Sequence, residues 1–186
     1  MCSLCENPIL TPFRLSVRMN GPCSIRSALP SDAERIFQLI EETKAFFREN
    51  DINMWQWGYP YLSDIEEDIR SGNAYVCVSD HMIVGYIFIT YGEEEFHRTL
   101  KGKWEDDGPA VFHRSVVDAS FKHSGIGTMM VSFVEGLAKK RGCRSMRTET
   151  DETNTPMRNL MAKLGYSERG TLLFDGRDKI GFEKIL

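Results

Sequence analysis

The strongest chemical pattern in the chain is Val116-Val117-Asp118-Ala119-Ser120-Phe121-Lys122-His123-Ser124-Gly125-Ile126-Gly127-Thr128. A β-branched strand ends, a short loop passes Lys122, and two glycines open a helix. The first turn of a helix offers free N–H groups and the positive end of its dipole. Gly125 and Gly127 remove side chains, so an anion such as a phosphate reaches the backbone, and Lys122 adds a positive charge. Two phosphate loops are excluded by spacing. The G-x-x-x-x-G-K-[ST] pattern is missing, and Met130 stands where a dinucleotide fingerprint has its third glycine. Taken alone, the segment reads equally well as a tight strand-to-helix turn with no ligand.

The elements that must position this segment follow from periodicity. A strand is expected at 24–28. A helix follows from Ser31, with Glu34 completing a capping box and Ile36, Leu39, Ile40, Phe46 and Phe47 on its apolar face. Residues 51–60 form an aromatic-rich loop, and Ser63 with Glu66 opens a short helix that Gly72 stops. Strands are expected at 74–78, 82–91 and 111–118, then a helix at 125–141 and a strand at 144–150. Thr155-Pro156 opens the last helix, Gly165 caps it, and strands at 166–174 and 179–185 turn around Asp175-Gly176. The order is that of a mixed α/β sheet. The acidic runs Glu93-Glu94-Glu95 and Glu105-Asp106-Asp107 fall in one long connection and read as solvated surface.

Composition bounds the answer. The chain has 186 residues, 41% hydrophobic and 27% charged, which suits one globular domain and excludes a disordered, collagen-like or coiled-coil design. Residues 1–22 read as an extension, broken by Pro8, Pro12, Gly21 and Pro22, ahead of a domain at 23–186. A net charge of −4 argues against a nucleic-acid partner. No run approaches the ~20 apolar residues of a membrane span, and the N-terminus has no apolar core of a secretory signal. Five scattered cysteines, an odd number, fit reduced thiols and a cytoplasmic setting. Cys2-x-x-Cys5 lacks the second close pair of a closed zinc site, and no metal is expected.

Two spaced segments resemble the GNAT family, the Gcn5-related N-acetyltransferases. Lys122-His123-Ser124-Gly125-Ile126-Gly127 is similar to the family's [QR]-x-x-G-x-[GA] signature. Asn154-Thr155-Pro156-Met157, Leu160-Met161 and Lys163-Leu164-Gly165-Tyr166 resemble its N-x-x-[AM]-x-x-L-[Y]-x-K-x-G-[FY] segment. The match runs from about Ser24 to Leu186, and the element order agrees. Gln56-Trp57, Tyr59-Pro60, His113-Arg114, Arg169-Gly170 and Gly181-Phe182-Glu183-Lys184 further resemble a bacterial subgroup whose members are poorly assigned to substrates.

The resemblance implies an α/β (α+β) GNAT fold: a central mixed sheet of about seven strands, splayed beside residues 111–118 and flanked by about four helices. It implies acetyl-CoA as co-substrate. Ser115, Val116 and Val117 would bond the pantetheine arm as an added strand would, and amides from His123 through Ser124, Gly125, Ile126 and Gly127 to Thr128 would hold the pyrophosphate beside Lys122. Asn154 would bond the pantetheine side, with Met157 and Met161 either lining its path or packing the core. The reaction would be direct acetyl transfer to an amine, which needs a base to take the ammonium proton and donors for the oxyanion. No G-x-S-x-G marks a serine nucleophile. The tyrosine that often serves the family as general acid falls at Met161, which leaves water, Tyr166 or no acid for thiolate release.

Base candidates are His113, whose ordinary pKa is near 6.5, and Glu149, each expected near the end of a central strand. The alternatives are a hydrogen-bonded strand histidine and a glutamate paired with Arg147 or Arg114. Trp55, Trp57, Tyr59 and Trp104, with Arg114, either wall an acceptor pocket or form the core of a folded loop. The expected acceptor is a small-molecule or amino-acid-like primary amine. Acetylation of a protein N-terminus or lysine, and a non-catalytic acyl-CoA-binding module, are the competing readings. A homodimer through the C-terminal strands is plausible for the family.

Overall fold

Alternation along one central strand builds two cores at once. In Met82–Tyr91, Ile87 and Ile89 enter one buried cluster, while Tyr86 and Phe88 enter the other. Successive strand residues point to opposite faces, so helices must cover both. The computed structural model describes residues 23–174 and 176–186. The expected extension at 1–22, with Cys2 and Cys5, and Asp175 of the last turn lie outside the described residues.

The elements, in chain order, are β1 (Ser24–Ser27), α1 (Ala33–Glu49), α2 (Leu62–Arg70), β2 (Ala74–Ser79), β3 (Met82–Tyr91), β4 (Lys101–Gly102), β5 (Pro109–Val117), α3 (Ile126–Lys140), β6 (Ser145–Thr150), α4 (Thr155–Leu164), β7 (Ser167–Phe174) and β8 (Arg177–Ile185). The eight strands form one sheet in the order β1-β2-β3-β5-β6-β8-β7-β4. All neighbours pair antiparallel except β5 and β6. α1 and α2 pack Ile36, Leu39, Ile40 and Ile65 on one face, while α3 packs Met130, Val131 and Val134 on the other. The architecture is the expected mixed sheet with four helices. The additional strand is β4, too short to leave a period in the sequence. It docks on β7 where Gly102 and Gly170 face each other, and a Cβ on either would collide with the opposite backbone.

Two expected helix starts differ. α1 follows a short 3₁₀ turn at Pro30–Asp32, where the Asp32 carboxylate accepts from Leu29 N at 2.7 Å and from Arg26 at 2.6 Å, so Ser31 and Glu34 do not form the box. α2 starts one residue early, with the Asp64 carboxylate accepting from Tyr61 N at 2.6 Å in place of Ser63 and Glu66. Among the described residues, no helix is long and apolar enough to cross a membrane.

One irregularity matters most. β5 and β6 pair only from Pro109–Ser145 to Val111–Arg147. At the end of that pairing the Thr148 hydroxyl donates to the Phe112 carbonyl at 3.1 Å, and further on the strands part. A bulge shifts the β3–β5 register between Tyr86 and Phe88, with Arg114 at φ +49°. A bulge bends its strand and strengthens the local twist, which turns the end of β5 away from β6.

Candidate active site

Two clefts run into the gap between β5 and β6. One is about 850 Å³ and reaches the aromatic loop, β6 and β8. The other is about 800 Å³ and runs between α1, the end of β5, α3 and α4. They share Phe47, Ser115, Asn154 and Met157, so the gap is one continuous passage with two ends.

The second cleft ends at the glycine loop. Val116, Val117, Lys122 and Gly127 line it. Gly125 stands just ahead of α3 at φ +89°, a conformation that suits glycine, and a Cβ there would meet nothing within 4 Å. The amides of Ile126, Gly127 and Thr128 belong to the first turn of α3 and have no acceptor within the helix. The Asp118 carboxylate shapes the approach by accepting from Ser120 N at 2.9 Å and from Arg35 at 2.6 Å. The Lys122 ammonium sits 3.1 Å from the Phe46 ring centre, and partial burial lowers its pKa. His123 and Ser124 are exposed on the loop, and Ser124 Oγ donates to the Phe121 carbonyl at 2.5 Å. Ile126 points inward and is buried. Of the α4 residues, Met157 lines both ends of the passage, whereas Met161 is fully buried in the core and reaches neither. Asn154 lines both but its amide is engaged: the oxygen accepts from Met157 N at 3.3 Å as a helix cap, and Nδ2 donates to Thr150 Oγ1 at 2.9 Å.

The first cleft holds the titratable groups. His113 lies between two carboxylates, with Nδ1 3.5 Å from Glu149 Oε1 and Nε2 3.4 Å from Glu94 Oε1. Burial opposes its charge, but the hydrogen bonds to Glu149 and Glu94 outweigh this and raise its pKa to about 9. At neutral pH it is an imidazolium and accepts no proton. Glu94 is correspondingly lowered to about 2, first by the hydrogen bond to His113 and then, against partial burial, by Thr90, whose hydroxyl donates to it at 2.5 Å. Among the described residues Glu149 is the one carboxylate that lines the cavity. Its second oxygen is buried without a hydrogen bond, 4.0 Å from Nε2 of buried His97. Burial lowers the His97 pKa to about 4, so that ring is neutral. Glu149 is not paired with Arg147 or Arg114. Arg147 pairs with Glu183 at 3.0 Å, and Arg114 grips Asp68 with two nitrogens at 2.7 and 2.5 Å.

The loop at 51–60 is stapled from several sides. Buried Lys44 donates to the carbonyls of Gly58 at 2.5 Å and Pro60 at 2.8 Å. Lys179 pairs with Asp151 at 2.9 Å and donates to Asn53 O at 3.3 Å. This brings Trp55, Trp57 and Tyr59 onto the cavity wall, with the Tyr59 hydroxyl accepting from Arg114. Two expected residues are elsewhere. Trp104 packs under the Arg147 guanidinium, 4.2 Å from it, and donates to His97 O at 3.1 Å. Tyr166 is buried in the core, where its hydroxyl donates to Glu135 at 2.9 Å and its pKa is raised, first by burial and then by Glu135. Glu94, Lys44, Phe174 and Arg177 belong to the site but were not singled out from sequence. Glu94 was hidden in an acidic run, and the others carry no local signal.

A parted sheet beside a glycine-opened helix, with a half-buried carboxylate at the other end of the gap, defines an acyl-transfer architecture. The profile of the Acetyltransferase (GNAT) family matches residues 34–166. The chain belongs to the GNAT family of N-acetyltransferases. A GNAT-family acetyltransferase from Streptococcus agalactiae is 31% identical with a TM-score of 0.78, covering 88% of this chain and 95% of its own. Another from Listeria monocytogenes is 22% identical with a TM-score of 0.69 over the same shares, which speaks to the fold. The aminoglycoside N(6')-acetyltransferase type 1 of Salmonella typhimurium is 24% identical over 123 residues, 63% of this chain and 81% of that protein.

Proposed function

We propose that this acetyltransferase uses acetyl-CoA to acetylate the primary amine of a small molecule, with Glu149 as the base. The observation that carries the reading is the continuous passage between β5 and β6, open to the first turn of α3 at one end and to Glu149 at the other. The residues suit the co-substrate. The free first-turn amides and Gly125 cradle a diphosphate, Lys122 adds charge, and the unpaired edge of β5 at Ser115, Val116 and Val117 offers backbone groups to an extended arm. Bound acetyl-CoA would supply an acetyl group activated as a thioester. Glu149 would take the proton of the acceptor's ammonium, and His113 holds that carboxylate in place through Oε1. Trp55, Trp57 and Tyr59 would wall the acceptor side and exclude water from the reacting amine.

The aromatic cavity supports a small acceptor, and the name of the Salmonella relative supports an amine. The test is release of free thiol from acetyl-CoA with a panel of primary amines, alongside melting with and without acetyl-CoA. Acetyl-CoA at 100 times its Kd should stabilise the fold by about 2.7 kcal/mol. Glu149→Gln should keep that stabilisation and lose activity by about 10²–10⁴-fold. No ligand-dependent melting shift at millimolar acetyl-CoA, or an unimpaired Glu149→Gln enzyme, would overturn the reading.

A further inference from the structure

We infer that the acceptor is an amino carboxylate with an apolar body, and that Arg177 is its carboxylate-binding residue. This rests on the reading above, in which the acceptor's amine lies at Glu149.

Four cationic side chains line the acceptor cavity: His113, Arg114, Arg177 and Lys179. Three are neutralised from within the protein. Asp68 takes Arg114 with both oxygens, Asp151 takes Lys179, and Glu94 and Glu149 flank His113. Among the described residues the Arg177 guanidinium has no carboxylate partner and no hydrogen bond. It instead sits over Trp57, the central carbon 2.9 Å from the ring centre. A cation held over an aromatic face is positioned without spending its N–H donors. A guanidinium presented in this way binds a carboxylate with two parallel hydrogen bonds.

The negative end of the cavity is equally limited. Among the described residues Glu149 is the one carboxylate that lines it. The cavity therefore has a site for one ammonium and a site for one anion, with Phe47, Trp55, Tyr59 and Phe174 offering apolar surface on its walls. A polycationic acceptor finds no second carboxylate among the described lining residues and meets Arg177 as a like charge. An amine without an anionic group leaves the Arg177 donors unmatched.

Matched pairs that differ only in the carboxylate test this: L-tryptophan against tryptamine and L-phenylalanine against phenethylamine, with kanamycin as the polycation. The readout is free thiol from acetyl-CoA under initial-rate conditions. The expected result is a kcat/KM at least about tenfold higher for each amino acid than for its decarboxylated partner, with kanamycin poorest. Arg177→Gln should raise KM for the amino acids by about tenfold while kcat holds. It should leave the decarboxylated amines within about twofold, which also reports that the variant is folded. Arg177→Lys, keeping the charge, should recover part of the loss. Equal or better turnover of the decarboxylated amines, preference for kanamycin, or a loss shared equally by both members of each pair would overturn the inference while leaving the amine acetyltransferase reading intact. Release from no member of the panel would overturn both.

Discussion

Replacing Glu94 with glutamine tests whether the charge on His113 is set by the two carboxylates beside it. Glu94 Oε1 lies 3.4 Å from Nε2, and Glu149 supports the other nitrogen at 3.5 Å. A hydrogen bond to a charged group contributes about 1.5–3 kcal/mol. At about 1.36 kcal/mol per pH unit, losing the Glu94 charge should lower the His113 pKa from about 9 by about 1 to 2 pH units. The linkage has a definite sign. The unfolded imidazole titrates near 6.5, so the folded state binds the extra proton between that value and about 9. Its stabilisation is complete below about 6.5 and disappears as pH rises through about 9. In Glu94→Gln the stabilisation should be smaller, and its loss, still starting near 6.5, should be complete about 1 to 2 units earlier. The assay is NMR titration of ring-labelled histidine. The chain has four histidines, His81, His97, His113 and His123; His113→Gln assigns the signal, and buried His97 serves as an internal contrast because it titrates near 4. A His113 resonance that titrates near 6.5 in the unaltered protein, or one that ignores Glu94→Gln, would refute the reasoning.

Three further outcomes follow from the same contacts. Gly125→Ala forces a Cβ into φ +89°, which should cost about 1–2 kcal/mol and sharply weaken the melting shift given by CoA, measured by differential scanning fluorimetry. Lys44→Met leaves the Gly58 and Pro60 carbonyls without their donor. It should lower stability by about 1.5–3 kcal/mol and open the 51–60 loop to limited proteolysis; unchanged cleavage there would dismiss Lys44 as the staple. Asp68→Ala strips the carboxylate from half-buried Arg114 and from the Tyr86 hydroxyl, which donates to it at 2.6 Å. Denaturant titration should show a loss of about 3–5 kcal/mol, most of it recovered when Arg114→Met is added.

What could be read from the sequence was what local chemistry encodes. Gly125 and Gly127 announce an anion loop because the requirement for absent side chains sits within three residues of a helix start. Glu149 is visible because it lies next to the end of a central strand, where a sheet presents its groups, whereas His113, expected near a strand end as well, stands in the middle of β5. Met161 shows the limit of periodicity, since helical spacing gives α4 an apolar stripe but does not separate the side facing the core from the side facing the cleft. Met157, one turn earlier, falls on the passage. Tyr166 follows the Gly165 cap and looked available, yet its partner Glu135 is contributed by α3. Glu94 is the instructive failure. Three consecutive glutamates resemble solvated surface, and only the register that places Thr90 and His113 on adjoining strands turns the middle one toward the imidazole. The bulge at Arg114 is equally non-local. It arises from an extra β5 residue between the pairings of Tyr86 and Phe88, on the stretch of β5 that no longer pairs with β6. The anion loop is thus a property of one segment, whereas the acceptor end is assembled by sheet register, which depends on how strands far apart in the chain meet.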